Sequence, residues 1–268
     1  MKRFSYPYIA WMVLLVAIPI IFMMVLSVTQ TRGVDFSAAT FDLSQWNKLT
    51  EVIYLNAFFN SFRLSSYVTI ISLLIGYPIA YMLARSTSRF KSLWLVMIIL
   101  PTWSNMLLRI IAWETLFYPT SILNTIGISL DLIGTDLAII IGMVSIFLPF
   151  MIFPIYAVLD KLDVSIEEAS ADLGASPWQT FIRVTLPLST SGIVSGIIMT
   201  FLPSATAFAI PQRLGGGSIL LIGNVIESLF KRTFNYNLGS LLSLLVIVII
   251  FVGMRVLSKV DAEGETLL

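Results

Sequence analysis

Six stretches of about twenty mostly apolar residues dominate this chain: Pro7–Thr29, Phe62–Ala84, Leu93–Thr115, Leu137–Leu159, Thr190–Pro211 and Leu238–Leu257. A bilayer presents about 30 Å of hydrocarbon and a helix rises about 1.5 Å per residue, so each stretch is long enough to cross as a helix. Transmembrane strands are about 10 residues long and alternate in polarity, which these runs do not. Most of the runs carry charge only near an end; the third holds Arg109 and Glu114, and the sixth holds Arg255 near its finish. The pattern predicts an all-α integral membrane protein with six transmembrane helices, forming one membrane domain over residues 1–268. The first run follows Lys2 and Arg3 and so resembles a signal peptide. It is longer than a signal core and lacks a small-x-small cleavage site, so it is read as a retained helix.

Composition narrows the functional classes. Hydrophobic residues make up 57% and charged residues 12% of the 268, against about 45–50% and 25% in soluble domains; mean hydropathy is +0.93. The chain has no histidine and no cysteine, which removes disulfides, thiol and imidazole chemistry and the common zinc sites. A net charge of +1 shows no basic excess for nucleic acid. An intramembrane enzyme would then need paired aspartates or a Ser–Lys pair within the spans, and the spans hold no Asp pair. A secondary transporter, the other competitor, often shows inverted repeats and midplane charges. Neither is evident.

Lys and Arg are only slightly in excess on the side that holds the N-terminus. The compact cluster Arg85, Arg89 and Lys91, together with Lys2 and Arg3, decides the orientation by the positive-inside rule: both termini are expected in the cytoplasm. Three polar outer segments follow. Gln30–Ser61 carries Trp46 and Tyr54, suited to an interface. Tyr118–Asp136, with Ser121, Asn124, Asp131 and Asp136, is expected to hold a short amphipathic helix. Gln212–Asn237 contains Gly215-Gly216-Gly217; no Gly-Lys-Ser/Thr follows, so it reads as a flexible turn and not a phosphate loop. Nothing in the chain looks able to hydrolyse ATP.

The inner segment 160–188 is longer than a simple connection requires, and its local chemistry is orderly. Ser165 and Glu168 form an S-x-x-E capping box. Ile166–Leu173 can make two helical turns, and Gly174 suits the position after a helix end because it tolerates positive φ. Ser176-Pro177 starts a second helix, with Gln179 completing another box. This helix is expected to run to about Leu186, with Pro187 interrupting it. The result is helix, glycine turn, helix: either a solvated hairpin or a rigid knob that docks in a partner's groove.

Here the sequence resembles a known family. Glu168-Ala169-Ser170, Gly174, Val184 and Leu186-Pro187 match E-A-A-x3-G-x9-I-x-L-P, the signature of permease subunits of bacterial ABC importers. Ser170 stands for an alanine and Val184 for the isoleucine, both preserving packing size. A finer resemblance is to spermidine/putrescine permeases, the first subunit of the pair. It is carried by Gly76-Tyr77-Pro78, Pro101-Thr102-Trp103-Ser104-Asn105, Leu148-Pro149-Phe150-Met151, Ala171–Ser176 and Leu221–Ile226.

The resemblance implies a type I ABC importer permease fold in a bacterial inner membrane, with segment 160–188 as the cytoplasmic coupling loop. It implies an ABC ATPase dimer as partner, with ATP and magnesium bound there and no cofactor on this chain. It further implies a second, homologous permease and an extracytoplasmic polyamine-binding protein. Glu168, Ala169, Ser170, Gly174, Leu186 and Pro187 would form the ATPase-coupling element. Related permeases for a thiamine-like cation or a sulfate-like oxyanion share some of the motifs. Carboxylates and aromatic faces suit a polyamine path, which makes Trp103, Trp113, Glu114 and Glu227 candidates for it, with Asn105 beside Trp103. Span five carries Ser191, Gly192, Ser195, Gly196 and Thr200, either for tight packing or to line a gate.

Overall fold

The computed structural model describes residues 2–32, 35–120, 127 and 130–265. Helix α1 (Lys2–Val28) is apolar on every side, as a lipid-facing span must be. Trp11, Val13, Ile18 and Ile21 are exposed. A two-stranded antiparallel ribbon follows, β1 (Thr29–Arg32) with β2 (Asp35–Phe41), pairing Thr29 with Phe41 and Gln30 with Thr40. The reading of Gln30–Ser61 as an undivided polar stretch misses this ribbon and the short helix α2 (Ser44–Asn47). Trp46 of α2 donates its Nε1–H to the Ser27 carbonyl at 3.2 Å, pinning the segment to α1.

Helix α3 (Val52–Ala84) begins well before Phe62 because its first turns have an apolar side: Ala57 is buried, and Tyr54 and Phe58 pack on the same cluster. Its 33 residues extend about 50 Å, more than the hydrocarbon requires. Helix α6 (Asp136–Leu159) is the central pillar. Its apolar window is 61% buried, against 39% for α3 and 11% for α1. Leu64 and Val68 of α3 meet Ile139 and Met143 of α6 at one end of the core, and Tyr77 and Ala80 meet Met151, Ile152 and Ile155 at the other.

The third apolar run is not one helix. It is split into α4 (Lys91–Trp103) and α5 (Met106–Phe117), bent by 89°. The extended Ser104 ends α4, and its amide and hydroxyl both donate to the Pro101 carbonyl, at 3.2 and 2.7 Å. Asn105 caps α5, its Oδ1 accepting the Leu107 amide at 2.8 Å. Arg109 donates to the Pro101 carbonyl at 3.2 Å and to the Ser145 carbonyl of α6. A break in an apolar span is tolerated only when its backbone groups find partners, and Ser104, Asn105 and Arg109 together supply them.

Helix α7 (Val164–Asp172) and α8 (Pro177–Thr180) form the expected hairpin. A π-helical turn, Phe181–Thr185, and α9 (Leu186–Leu188) then lead through a 65° bend into α10 (Thr190–Ala205). Pro187 therefore sits inside a helix, and the interruption falls at Ser189. The wider turn before Pro187 relaxes the demand for its missing amide hydrogen. Span five also ends earlier than Pro211. Ala209–Leu214 forms a separate helix, α11, followed by α12 (Ile222–Lys231) and α13 (Tyr236–Glu265). Among the described residues four continuous helices are long and apolar enough to cross a membrane, and up to six spans are counted by length and composition if each bent pair is one.

The small residues of α10 pack tightly. A Cβ on Gly192 would lie 2.9 Å from the Pro154 carbonyl oxygen, and one on Gly196 3.0 Å from that of Met151. Gly216 and Gly217 have φ of +57° and +79°, which makes the glycine run a turn between α11 and α12. In the Tyr118–Asp136 segment, the expected amphipathic helix and its Ser121 and Asn124 lie outside the described residues. Asp136 begins α6 and pairs with Arg63 at 2.7 Å.

Candidate coupling hairpin and membrane path

The hairpin is built by its caps. Asp163, not Ser165, caps α7: its Oδ1 accepts the Ser165 amide at 2.9 Å. That amide holds the Asp163 carboxyl below its ordinary value. The S-x-x-E box read at Ser165 and Glu168 is not formed, because a carboxylate two residues earlier meets the same helix end and its positive dipole. At the other end the Gly174 amide donates to the Ala171 carbonyl at 2.8 Å and the Ala175 amide to that of Ser170 at 3.2 Å. With Gly174 at φ +85°, this is a Schellman turn. The second box forms as read: the Gln179 amide donates to Ser176 Oγ at 3.3 Å and the Ser176 amide to Gln179 Oε1 at 2.9 Å. The hydroxyls of Ser170 and Thr180, 3.0 Å apart, tie the two helices together.

Glu168 and Ala169 are exposed, as is Pro187, while Leu186 packs on the core. Large apolar side chains stand exposed on the hairpin: Leu173 is 90% and Trp178 68% exposed, and Ile166 and Ile182 are exposed too. Trp178 stacks on Phe181, ring centroids 5.5 Å apart. Exposed apolar side chains on a short rigid hairpin mark a protein contact.

Sequence reasoning passed over Glu167. Arg85 grips it with two hydrogen bonds, at 3.0 and 2.8 Å, and Thr185 Oγ1 donates to it at 2.8 Å. Burial pushes the Glu167 carboxyl up, but Arg85 and Thr185 outweigh it and the net shift is downward. Lys91 pairs with Asp160 at 2.6 Å, and that hydrogen bond holds the Asp160 carboxyl low. The adjacent Glu167 and Glu168 are chemically alike; the only available clue was the basic cluster waiting for a partner.

The five proposed path residues each meet different neighbours. Trp103 stands 85% exposed at the α4–α5 break, where Asn105 is spent on its cap. Trp113 donates to Ser145 Oγ at 2.8 Å and packs on Phe117. Glu114 pairs with Arg213 of α11 at 3.0 Å. Glu227 pairs with Lys231 on α12 at 3.0 Å and borders a hollow of about 360 Å³ with Gln212 and Asn224.

A stack of bent and straight apolar helices around one pillar, with a capped hairpin at one end, has the build of a multi-span membrane protein. Residues 2–262 match the family of binding-protein-dependent transport system inner membrane components. The chain belongs to that family: it is a multi-pass inner-membrane permease subunit, not an enzyme. It is 36% identical to the spermidine/putrescine transport system permease protein PotB of Haemophilus influenzae, over 96% of this chain and 93% of that one. To the Escherichia coli PotB it is 33% identical, over 88% of each. In fold it is similar to a bacterial ABC transporter involved in alginate import, with TM-score 0.79 at 15% identity over 98% of this chain and 94% of the other. The MetNI methionine ABC transporter gives 0.56 at 15% identity, over 80% and 95%.

Proposed function

We propose that this chain is the first of two paired permeases of an importer for spermidine and putrescine, working by alternating access. The supporting observation is similarity to relatives named for that transport along nearly the whole chain. Segment 160–188 is the coupling loop: Glu168, Ala169, Ser170, Gly174, Leu186 and Pro187 seat it in a cytoplasmic ABC ATPase dimer that binds ATP and magnesium. The exposure of Leu173 and Trp178 supports that role. A homologous second permease completes the path, and an extracytoplasmic binding protein selects the polyamine. Glu114 and Glu227, with the rings of Trp103 and Trp113, are this chain's contribution to a cationic path. High affinity there would oppose release.

Uptake of radiolabelled spermidine and putrescine is the test, in cells with and without this chain and with other polyamine importers removed. Loss without the chain and return on complementation is expected. Unchanged uptake refutes the polyamine assignment and directs the search to another small ligand. For the hairpin, Gly174→Val forces a β-branched residue to φ +85°, which is strongly disfavoured. It is expected to weaken ATPase co-purification or to uncouple hydrolysis from transport; normal assembly and coupling would remove Gly174 from that role.

A further inference from the structure

Arg85 ties three parts of the chain together with one side chain. It follows the last residue of α3. Its Nε and Nη2 donate to the two carboxylate oxygens of Glu167 on α7, and Nη1 donates to the carbonyls of Leu159 and Leu162 at 3.1 Å each, where α6 ends. Glu167 in turn receives Thr185 from the second half of the hairpin. Both partners of the pair are only 15% exposed. Lys91 adds a parallel tie, donating to Asp160 at 2.6 Å and to the Ala84 carbonyl at 3.2 Å. The route from the hairpin to α10 is different in kind. It passes through the π-helical turn, Pro187 and the 65° bend at Ser189. Ser189 Oγ meets Tyr77 Oη of α3 at 2.8 Å.

We propose that Arg85 is a positioning residue for transport. Through Glu167 it makes the hairpin one rigid body with α3 and α6, so that a push on the hairpin moves both helices together. This inference rests on the hairpin being the ATPase-coupled element. The fork matters because two parallel bonds from a planar guanidinium fix direction as well as distance, which a lysine ammonium does not. A tie that only held charge would accept lysine; a tie that sets angle would not.

The chain has no cysteine, so paired spin labels introduced into it sit at the only cysteines it carries. Labels at Ser165→Cys on α7 and Met82→Cys on α3 are placed in the assembled transporter, with and without ATP and magnesium. The unmodified pair is expected to give one narrow distance in both states. Arg85→Lys and Glu167→Gln are expected to broaden it while the ATPase still co-purifies, and to lower spermidine moved per ATP hydrolysed about fivefold. Thr185→Val, a gentler loss, serves if either variant fails to assemble. A narrow, unchanged distance in Glu167→Gln or Thr185→Val overturns the proposal, as does full coupling in Arg85→Lys. Two further results separate it from the reading beneath it. If the distances behave as expected but the wild-type complex carries no ATPase, the coupling role falls. If wild-type complex hydrolyses ATP without moving spermidine or putrescine, the polyamine assignment falls and the rigid attachment stands.

Discussion

Neighbouring glutamates have opposite lives here. Glu167 is turned inward to Arg85 and Thr185, while Glu168 is exposed on the outer face. Glu167→Ala leaves a largely buried guanidinium without its carboxylate and is expected to cost about 2–3 kcal/mol. Glu168→Ala is expected to cost less than about 0.5 kcal/mol, as a surface change. Thermal unfolding of the detergent-solubilised protein checks both, and equal losses would refute the assignment. The pH dependence follows the same residues. The folded values of Glu167 and Asp160 lie below those of free carboxyls. Their contribution is therefore complete above the ordinary carboxylate value and is lost as pH falls through the lowered ones. Protection of the α7 amides against hydrogen exchange, taken relative to the intrinsic rate at each pH, is expected to hold from neutral pH down to the ordinary carboxylate range and to fall below it. Loss of protection already near neutral pH would contradict the pairing.

At the scale of elements, the close approach of α10 to α6 depends on glycine. A methyl on Gly192 meets backbone, the Pro154 oxygen at 2.9 Å and the Ile155 Cα at 3.0 Å, and neither can turn aside. Gly192→Ala is expected to destabilise by about 1–3 kcal/mol. Gly253→Ala on α13, where a Cβ finds nothing within 4 Å, is expected to be neutral or slightly stabilising. Melting temperatures of the two variants, compared with the parent, decide it. The same contact gives Gly192 and Gly196 of span five a packing role against α6. The α4–α5 break follows the opposite logic. There polar groups are added, with Asn105 capping, Ser104 turning back and Arg109 reaching the Pro101 carbonyl.

Across the whole molecule, the Arg85–Glu167 and Lys91–Asp160 pairs hold the basic loop and the hairpin at one end. They must therefore lie on the same side of the membrane. Positive residues favour the cytoplasm, so single cysteines at Ser88 and Leu173 are expected to react with an impermeant maleimide only after the membrane is opened. Cysteines at Thr50 and Gly217 are expected to react in intact spheroplasts. Labelling of Ser88 and Gly217 from the same side would refute the six-crossing topology.

What the sequence by itself determined is what depends on neighbours along the chain. Run length sets the spans, Ser176 with Gln179 starts a helix, and Gly174 turns one, because hydrocarbon thickness, capping and positive φ act within a few residues. The family motif was legible for the same reason. Only the tertiary structure decided which glutamate Arg85 takes and that Arg109, beside the break in the third run, reaches the Ser145 carbonyl of α6. It also decided that Glu114 is paired with Arg213 of α11. Those outcomes depend on which charge, carbonyl or methyl arrives from a distant segment, and Arg85 and Glu167 meet only because α3 and α6 end side by side.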